Sequence, residues 1–303
     1  MNSNETAILP TPEAPDAPPP GQTGYFDAAA LRALARRIRI DTIELTWHSG
    51  TGSSHVGGEL SLGEILAVLY GNVLRVDPTN PTWELRDRMI LSKGHASGAL
   101  YAAMAWRGFF PRERLFDQFN RSHGFLEEHV NMRTPGGEVP TGSLGMGLSN
   151  GSGMAWAARY LAKDGAPLYR TIVVLSDGDL QEGQSWEAAM AASQYHLDNL
   201  VAVVDFNHMV VSGRIERSVD LEPLADKFRQ FGWHAVEVDG HDVEALTAAL
   251  TAAVDPALAP GRPRVVVAHT LKGKGVSFTE GNNAWHGGHL NEEQYRRALA
   301  DLA

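Results

Sequence analysis

The chain has 303 residues, no cysteine and a formal net charge of −10, with 43 % hydrophobic and 20 % charged residues. Such values are ordinary for a globular protein long enough to bury a sizeable core. They exclude a disulfide scaffold, a cysteine nucleophile and a thiolate metal site, and argue against a nucleic-acid binder, which carries a basic patch. No apolar run approaches the ~20 residues of a membrane-spanning helix. The N-terminus has neither the basic nor the apolar region of a secretory signal, so a cytoplasmic location is the default expectation.

Residues 1–24 hold six of the sixteen prolines in their first twenty positions. Such a segment buries too little apolar surface to offset its ordering entropy, which predicts a disordered or loosely draped tail ahead of one domain over 25–303. From Asp27, a candidate N-cap, Leu31, Leu34, Ile38 and Leu45 recur at helical spacing up to about His48. A glycine- and serine-rich loop follows over 49–58. Ser61 and Glu64 read as a capping box opening a helix over Leu62–Tyr70. Arg88–Ser92 is a short buried-strand candidate leading into Lys93-Gly94-His95, with helix to about Arg107. Residues 121–147 read as loop, and a helix is expected through Met154–Leu161.

The second half is better defined. Thr171–Leu175 and Leu200–Phe206 are continuous apolar runs flanking a helix over Ser185–Tyr195, which makes a βαβ unit. His234–Val238 and Arg264–Ala268 are further strand candidates around a helix at Val243–Ala253, and a last helix runs from Asn291 to about Leu302. Strands alternating with helices imply an α/β fold with a doubly wound, mostly parallel sheet in one large domain.

Ligands of such sheets bind beyond the carboxyl ends of the strands. The first strand of the βαβ unit ends in Ser176-Asp177-Gly178-Asp179-Leu-Gln-Glu182-Gly183 and the second in Asp205-Phe206-Asn207. If the two strands are neighbours, Asp177 and Asn207 converge on one hard cation. A carboxylate and an amide oxygen suit Mg²⁺ or Ca²⁺ rather than zinc. Gly178 and Gly183 would let backbone N–H groups approach a diphosphate at the following helix start. A plain turn with an N-cap explains the same residues equally well.

The stretch Ser176–Glu187 (SDGDLQEGQSWE), with Asn207 thirty residues after Asp177, resembles the thiamine-diphosphate motif of the transketolase family. Ser54–Ser61 (SHVGGELS), Asp87–His95 (DRMILSKGH), Thr134–Glu138 with Thr141–Gly147, Asp239–Asp242 (DGHD), Lys272–Val276 (KGKGV) and Trp285-His286-Gly287 resemble further family motifs in the same order, over roughly 27–303. The resemblance implies a PP-type thiamine-diphosphate domain. Asp177, Asn207 and the carbonyl of Met209 would hold Mg²⁺, with Ca²⁺ or Mn²⁺ as substitutes. His95 and His286 would contact the diphosphate, Gly178 would pack against it, and Gly142 and Leu144 would touch the cofactor. Glu182 would link the sites of two subunits. His55, His95, His129 and His286 would be the catalytic, substrate-facing histidines, since imidazole exchanges protons near neutral pH.

The pyrimidine-binding and C-terminal domains of a transketolase have no counterpart here. The resemblance therefore implies the N-terminal subunit of a split transketolase. It would transfer a two-carbon ketol unit between sugar phosphates or similar sugars, in an α₂β₂ assembly with a pyrimidine-domain partner. A 1-deoxyxylulose-5-phosphate-synthase-like or ketoacid-decarboxylating subunit and a non-catalytic cofactor-binding scaffold are the alternatives. Departures from the family pattern include Ser176 for glycine, Val56 and Val130 for proline, and His208 for glycine. His48, His196, His208 and His234 carry no motif and read as surface or packing residues.

Overall fold

The structure, a computed structural model, describes residues 15–49, 54–162 and 165–303. Its helices are α1 (Ala28–His48), α2 (Val56–Leu60), α3 (Gly63–Val68), α4 (Ser97–Arg107), α5 (Arg114–Gln118), α6 (Met146–Tyr160), α7 (Asp177–Leu180), α8 (Gly183–Gln194), α9 (Leu224–Gln230), α10 (Val243–Ala253) and α11 (Glu292–Asp301). Its strands are β1 (Arg88–Leu91), β2 (Thr171–Ser176), β3 (Leu200–Phe206), β4 (Met209–Val210), β5 (Gly213–Arg214), β6 (His234–Asp239) and β7 (Arg264–His269).

Five strands form one sheet in the order β1-β2-β3-β7-β6, every neighbouring pair parallel. β4 and β5 make a separate small hairpin. Because side chains alternate along a strand, each apolar run feeds both faces of the sheet. Met89, Leu91, Ile172, Val174, Val201, Val203 and Val266 enter the core shared with α1, α3, α4 and α10. Ile90, Val173, Leu175, Ala202, Val204, Val265 and Val267 enter the opposite core, covered by α6, α8 and α9. The expected doubly wound α/β sheet is therefore present. Each valine, leucine and isoleucine among them, removed from water, contributes roughly 1.5–3 kcal/mol.

Asp27 does cap α1, its carboxylate accepting from the Ala30 N–H. Three local expectations fail for identifiable reasons. Ser61 and Glu64 do not form a capping box. Ser61 Oγ donates to Asp205 at 2.6 Å, and Glu64 pairs with Arg39 through hydrogen bonds of 2.7 and 2.5 Å. The helix expected over Leu62–Tyr70 is the short α3 continued by a π-turn over Leu69–Val73, and α2 begins at Val56, inside the expected loop. Finally, α6 starts at Met146, eight residues before the expected position. Its glycines read as loop signals but are close-approach positions: a Cβ on Gly151 would lie 2.3 Å from Val173, and one on Gly147 2.3 Å from Ser92.

Of the proline-rich tail, residues 1–14 lie outside the described residues, as do 50–53 of the glycine- and serine-rich loop. Residues 15–24 are draped over the end of α4. The Trp106 indole donates to the Pro15 carbonyl, Arg107 to Pro18, and the amides of Gly21 and Gly24 to Val76 and Asn72.

Candidate active site

The ends of β2 and β3 lie side by side, with Ser176 opposite Asp205. Asp177 and Asn207 therefore leave the sheet together. Ser176 keeps a negative φ of −123° and caps α7 in a reciprocal box with Asp179. Asp179, wholly buried, ties three segments together: its carboxylate accepts from Ser92 Oγ (2.5 Å), the Gly145 amide (2.9 Å) and the amide and hydroxyl of Ser176 (both 2.9 Å). This fixes the Thr141–Gly145 turn against the strand end. The sequence marks Asp179 as part of the motif but does not reveal this anchoring role.

Asp177 is also wholly buried, and one carboxylate oxygen accepts from the Asn207 amide at 3.2 Å. The other, Oδ1, has no hydrogen-bond partner among the described residues. Burial, and then the neighbouring Asp205, push its pKa up to about 7. A buried carboxylate oxygen without a donor is costly, and a cation would remove that cost. The Asn207 side chain is turned into the same loop, its Oδ1 accepting from the Met209 amide at 3.1 Å. The residues present thus fit a hard divalent ion.

Four histidines from four segments meet above this loop. Ring centroids are 4.9 Å apart for His55 and His95, 5.4 Å for His55 and His286, 5.7 Å for His95 and His286, and 6.3 Å for His55 and His129. Burial, and then the positive charge of Lys93, bring His95 down to about 2; burial and Lys272 bring His286 down to about 4. Burial also lowers His55, although Glu128 lies 3.2 Å from its Nδ1. His95 and His286 are therefore neutral at pH 7, able to donate and to accept.

Two lysines complete the site. Lys93, 1 % exposed, donates to Asp205 (2.5 Å) and to the Gly58 carbonyl (2.8 Å). Burial opposes ionisation of Asp205, but Lys93 and the hydroxyls of Ser61 and Thr270 outweigh it and hold its pKa below the usual carboxylate range. Lys272 Nζ lies 2.8 Å from His286 Nδ1, and burial followed by Lys93 lowers its pKa to about 8. The loop bearing Lys272 is held by His241, whose Nε2 accepts from the Leu271 amide while its Nδ1 faces Glu64 at 2.9 Å. Both lysines stand inside family-like motifs, yet nothing in their spacing announces a cleft-lining role.

The four histidines and the two lysines line one cleft of about 340 Å³, together with Gly142, Leu144, Gly178, Glu182, Asn207 and Met209. Asp177, wholly buried, is not in its wall but lies between Ser176 and Gly178, which are. Glu182 and His129 are exposed there. Gly178 faces Leu144, which an added Cβ would meet at 2.9 Å, and Gly142 (φ +132°) faces His129. Two expected contributors lie elsewhere. Gly183 is exposed and absent from the lining. The Thr134–Glu138 turn is structural, with Glu138 paired to Arg86 and Gly136 packed against Phe109.

Comparison with known proteins agrees with this geometry. Residues 29–302 match the transketolase thiamine diphosphate binding domain. The chain is 44 % identical over 274 residues to the 6-deoxy-6-sulfo-D-fructose transketolase subunit SqwG of Clostridium sp. (strain MSTE9), covering 90 % of this chain and 96 % of that protein. It is 39 % identical to one of the subunits of the apulose-4-phosphate transketolase of Phocaeicola vulgatus, covering 90 % and 94 %. The solved transketolase of Leishmania mexicana superimposes with a TM-score of 0.82 at 29 % identity, over 90 % of this chain and 41 % of that one. The chain thus spans about two fifths of that longer enzyme and nearly the whole of the two subunit relatives. It belongs to the transketolase family, through its thiamine-diphosphate-binding domain.

Proposed function

We propose that the cleft holds thiamine diphosphate through a Mg²⁺ ion, and that the chain, completed by a partner polypeptide carrying the pyrimidine-binding domain, transfers a two-carbon ketol unit between sugars. The observation that carries this reading is the buried, unpartnered Asp177 Oδ1 beside Asn207, beneath four clustered histidines. Asp177, Asn207 and the Met209 carbonyl would hold the ion, with Gly178 against the diphosphate and Gly142 and Leu144 along the cofactor. Bound thiamine diphosphate supplies the carbanion-stabilising chemistry.

The chain's own contribution is binding, orientation and proton handling. His286 receives the Lys272 ammonium at Nδ1, which assigns its proton to Nε2 and makes that edge a donor. His55, His95 and His129 offer imidazole rings to substrate hydroxyls and the ketol oxygen. Exposed Glu182 is available to another protomer, and an α₂β₂ assembly satisfies two-fold symmetry. The two subunit relatives are named for a sulfonated and a phosphorylated sugar, which favours a ketose with an anionic terminus as substrate. A cytoplasmic location fits sugar metabolism and the described residues, none of whose helices is long and apolar enough to cross a membrane. Calorimetry with thiamine diphosphate and Mg²⁺ tests the site: Asp177→Ala is expected to abolish Mg²⁺-dependent binding, and unchanged binding would remove the metal assignment.

A further inference from the structure

A separate group of ligating side chains lies next to the cofactor loop. One ring nitrogen each of His208 and His269 and one carboxylate oxygen of Glu222 all fall within 4.8 Å of one another. They come from three segments: the turn after β3, the end of β7 and the residues before α9. Buried Phe206 supports both histidines, with ring centroids 4.3 Å from His208 and 5.5 Å from His269, and the two imidazoles lie nearly parallel at 5.9 Å.

His208 adopts φ +61°, a left-handed conformation that it shares with Asn120, His123 and His196. One further feature points to a ligand. His269 Nε2 lies 2.9 Å from Glu237 Oε2, the carboxylate partner that normally orients a metal-bound imidazole, and Glu216 lies 3.8 Å from His208 Nδ1. Two imidazoles and a carboxylate are a donor set for a borderline transition cation of the zinc type. They do not suit Mg²⁺, which prefers oxygen.

We propose that His208, His269 and Glu222 bind one Zn²⁺-class ion, distinct from the cofactor's cation. The ion would tie β7 and the approach to α9 to the turn that contains Asn207 and Met209. It would thereby stiffen the loop of the cofactor site from outside, and its binding does not depend on the function proposed above.

The test uses the full chain, stripped with chelator and titrated with Zn²⁺ in excess Mg²⁺, by calorimetry and by competition with a chromophoric chelator. One equivalent per chain is expected, retained in Asp177→Ala, lost in His208→Gly and in His269→Asn, and weakened about tenfold in Glu237→Gln. With Co²⁺, the unaltered chain should show a visible ligand-field band and paramagnetically shifted ring resonances from His208 and His269, a readout that needs no variant to fold. Absence of a stoichiometric step, absence of those shifts, or zinc binding that survives both histidine substitutions but disappears in Asp177→Ala would overturn the proposal.

Discussion

The Lys272 ammonium and the His286 imidazole meet at 2.8 Å through Nδ1, within the cleft. The lysine thus acts on the histidine twice. Its charge adds to burial in keeping the ring neutral, and its N–H occupies the nitrogen facing away from the expected donor edge. Lys272→Met is expected to raise the His286 pKa from about 4 part of the way toward its ordinary 6.5, because burial, the larger cause, remains. It should also populate both tautomers. Nitrogen-resolved NMR of the imidazole reads both effects; a pKa that does not rise would contradict the pairing.

The buried Lys93–Asp205 pair sets a stability prediction. Lys93→Met would leave Asp205 wholly buried with, among the described residues, only the hydroxyls of Ser61 and Thr270 and the more distant Asn207 side-chain amide facing it. Breaking one side of such a pair costs about 3–5 kcal/mol. The double variant Lys93→Met/Asp205→Asn removes the stranded charge and should recover part of that loss in urea denaturation. A double variant as unstable as the two single losses summed would deny the coupling.

Glu59 supplies a pH signature. It is buried on α2, accepts from Ser54 Oγ (2.7 Å) and the Gly98 amide (3.2 Å), and burial nonetheless pushes its pKa up to about 7. The folded chain therefore holds a proton that the unfolded chain releases near 4.5. Between those values the folded state binds more protons, so this group lowers unfolding free energy as pH rises from about 4.5 to about 7. Glu59→Gln should remove that slope, making the variant's stability relative to the parent climb over the same window by a few kcal/mol. Asp177 titrates in the same range in both proteins and cancels in the difference. A pH-independent difference would place the Glu59 pKa near its ordinary value.

Gly142 offers a steric test. At φ +132° an alanine is strained, and its Cβ would sit 2.4 Å from His129 Cδ2. Gly142→Ala is expected to cost about 1–3 kcal/mol of stability and, by displacing His129, to lower kcat/KM of the assembled enzyme more than its thiamine diphosphate affinity. Equal kcat/KM would separate His129 from the substrate side.

Legibility from sequence follows periodicity. The strands β2, β3 and β7 are readable because each is an uninterrupted aliphatic run, and the adjacency of β2 and β3 places Asp177 beside Asn207. The start of α6 is not readable, because glycines needed for close contact with Ser92 and Val173 carry the same local signal as loop glycines. Ser61 and Glu64 have the spacing of a cap, but tertiary partners, Asp205 and Arg39, compete for their side chains. The histidines can be named from motifs, whereas the lysines behind them, the anchoring by Asp179 and the His208–His269–Glu222 group depend on segments far apart in the chain. His208, which reads as a surface or packing residue, is the clearest case.

A two-chain ketol transferase, with this chain as its cofactor-binding part, has one direct test. Ketol transfer from a ketose donor to an aldose acceptor should be measured, with thiamine diphosphate and Mg²⁺, for the chain by itself, for a pyrimidine-domain partner by itself and for the mixture. Turnover confined to the mixture, and lost when the chain carries Asp177→Ala, is expected. Full turnover by the chain without a partner, or a mixture unaffected by Asp177→Ala, would contradict it.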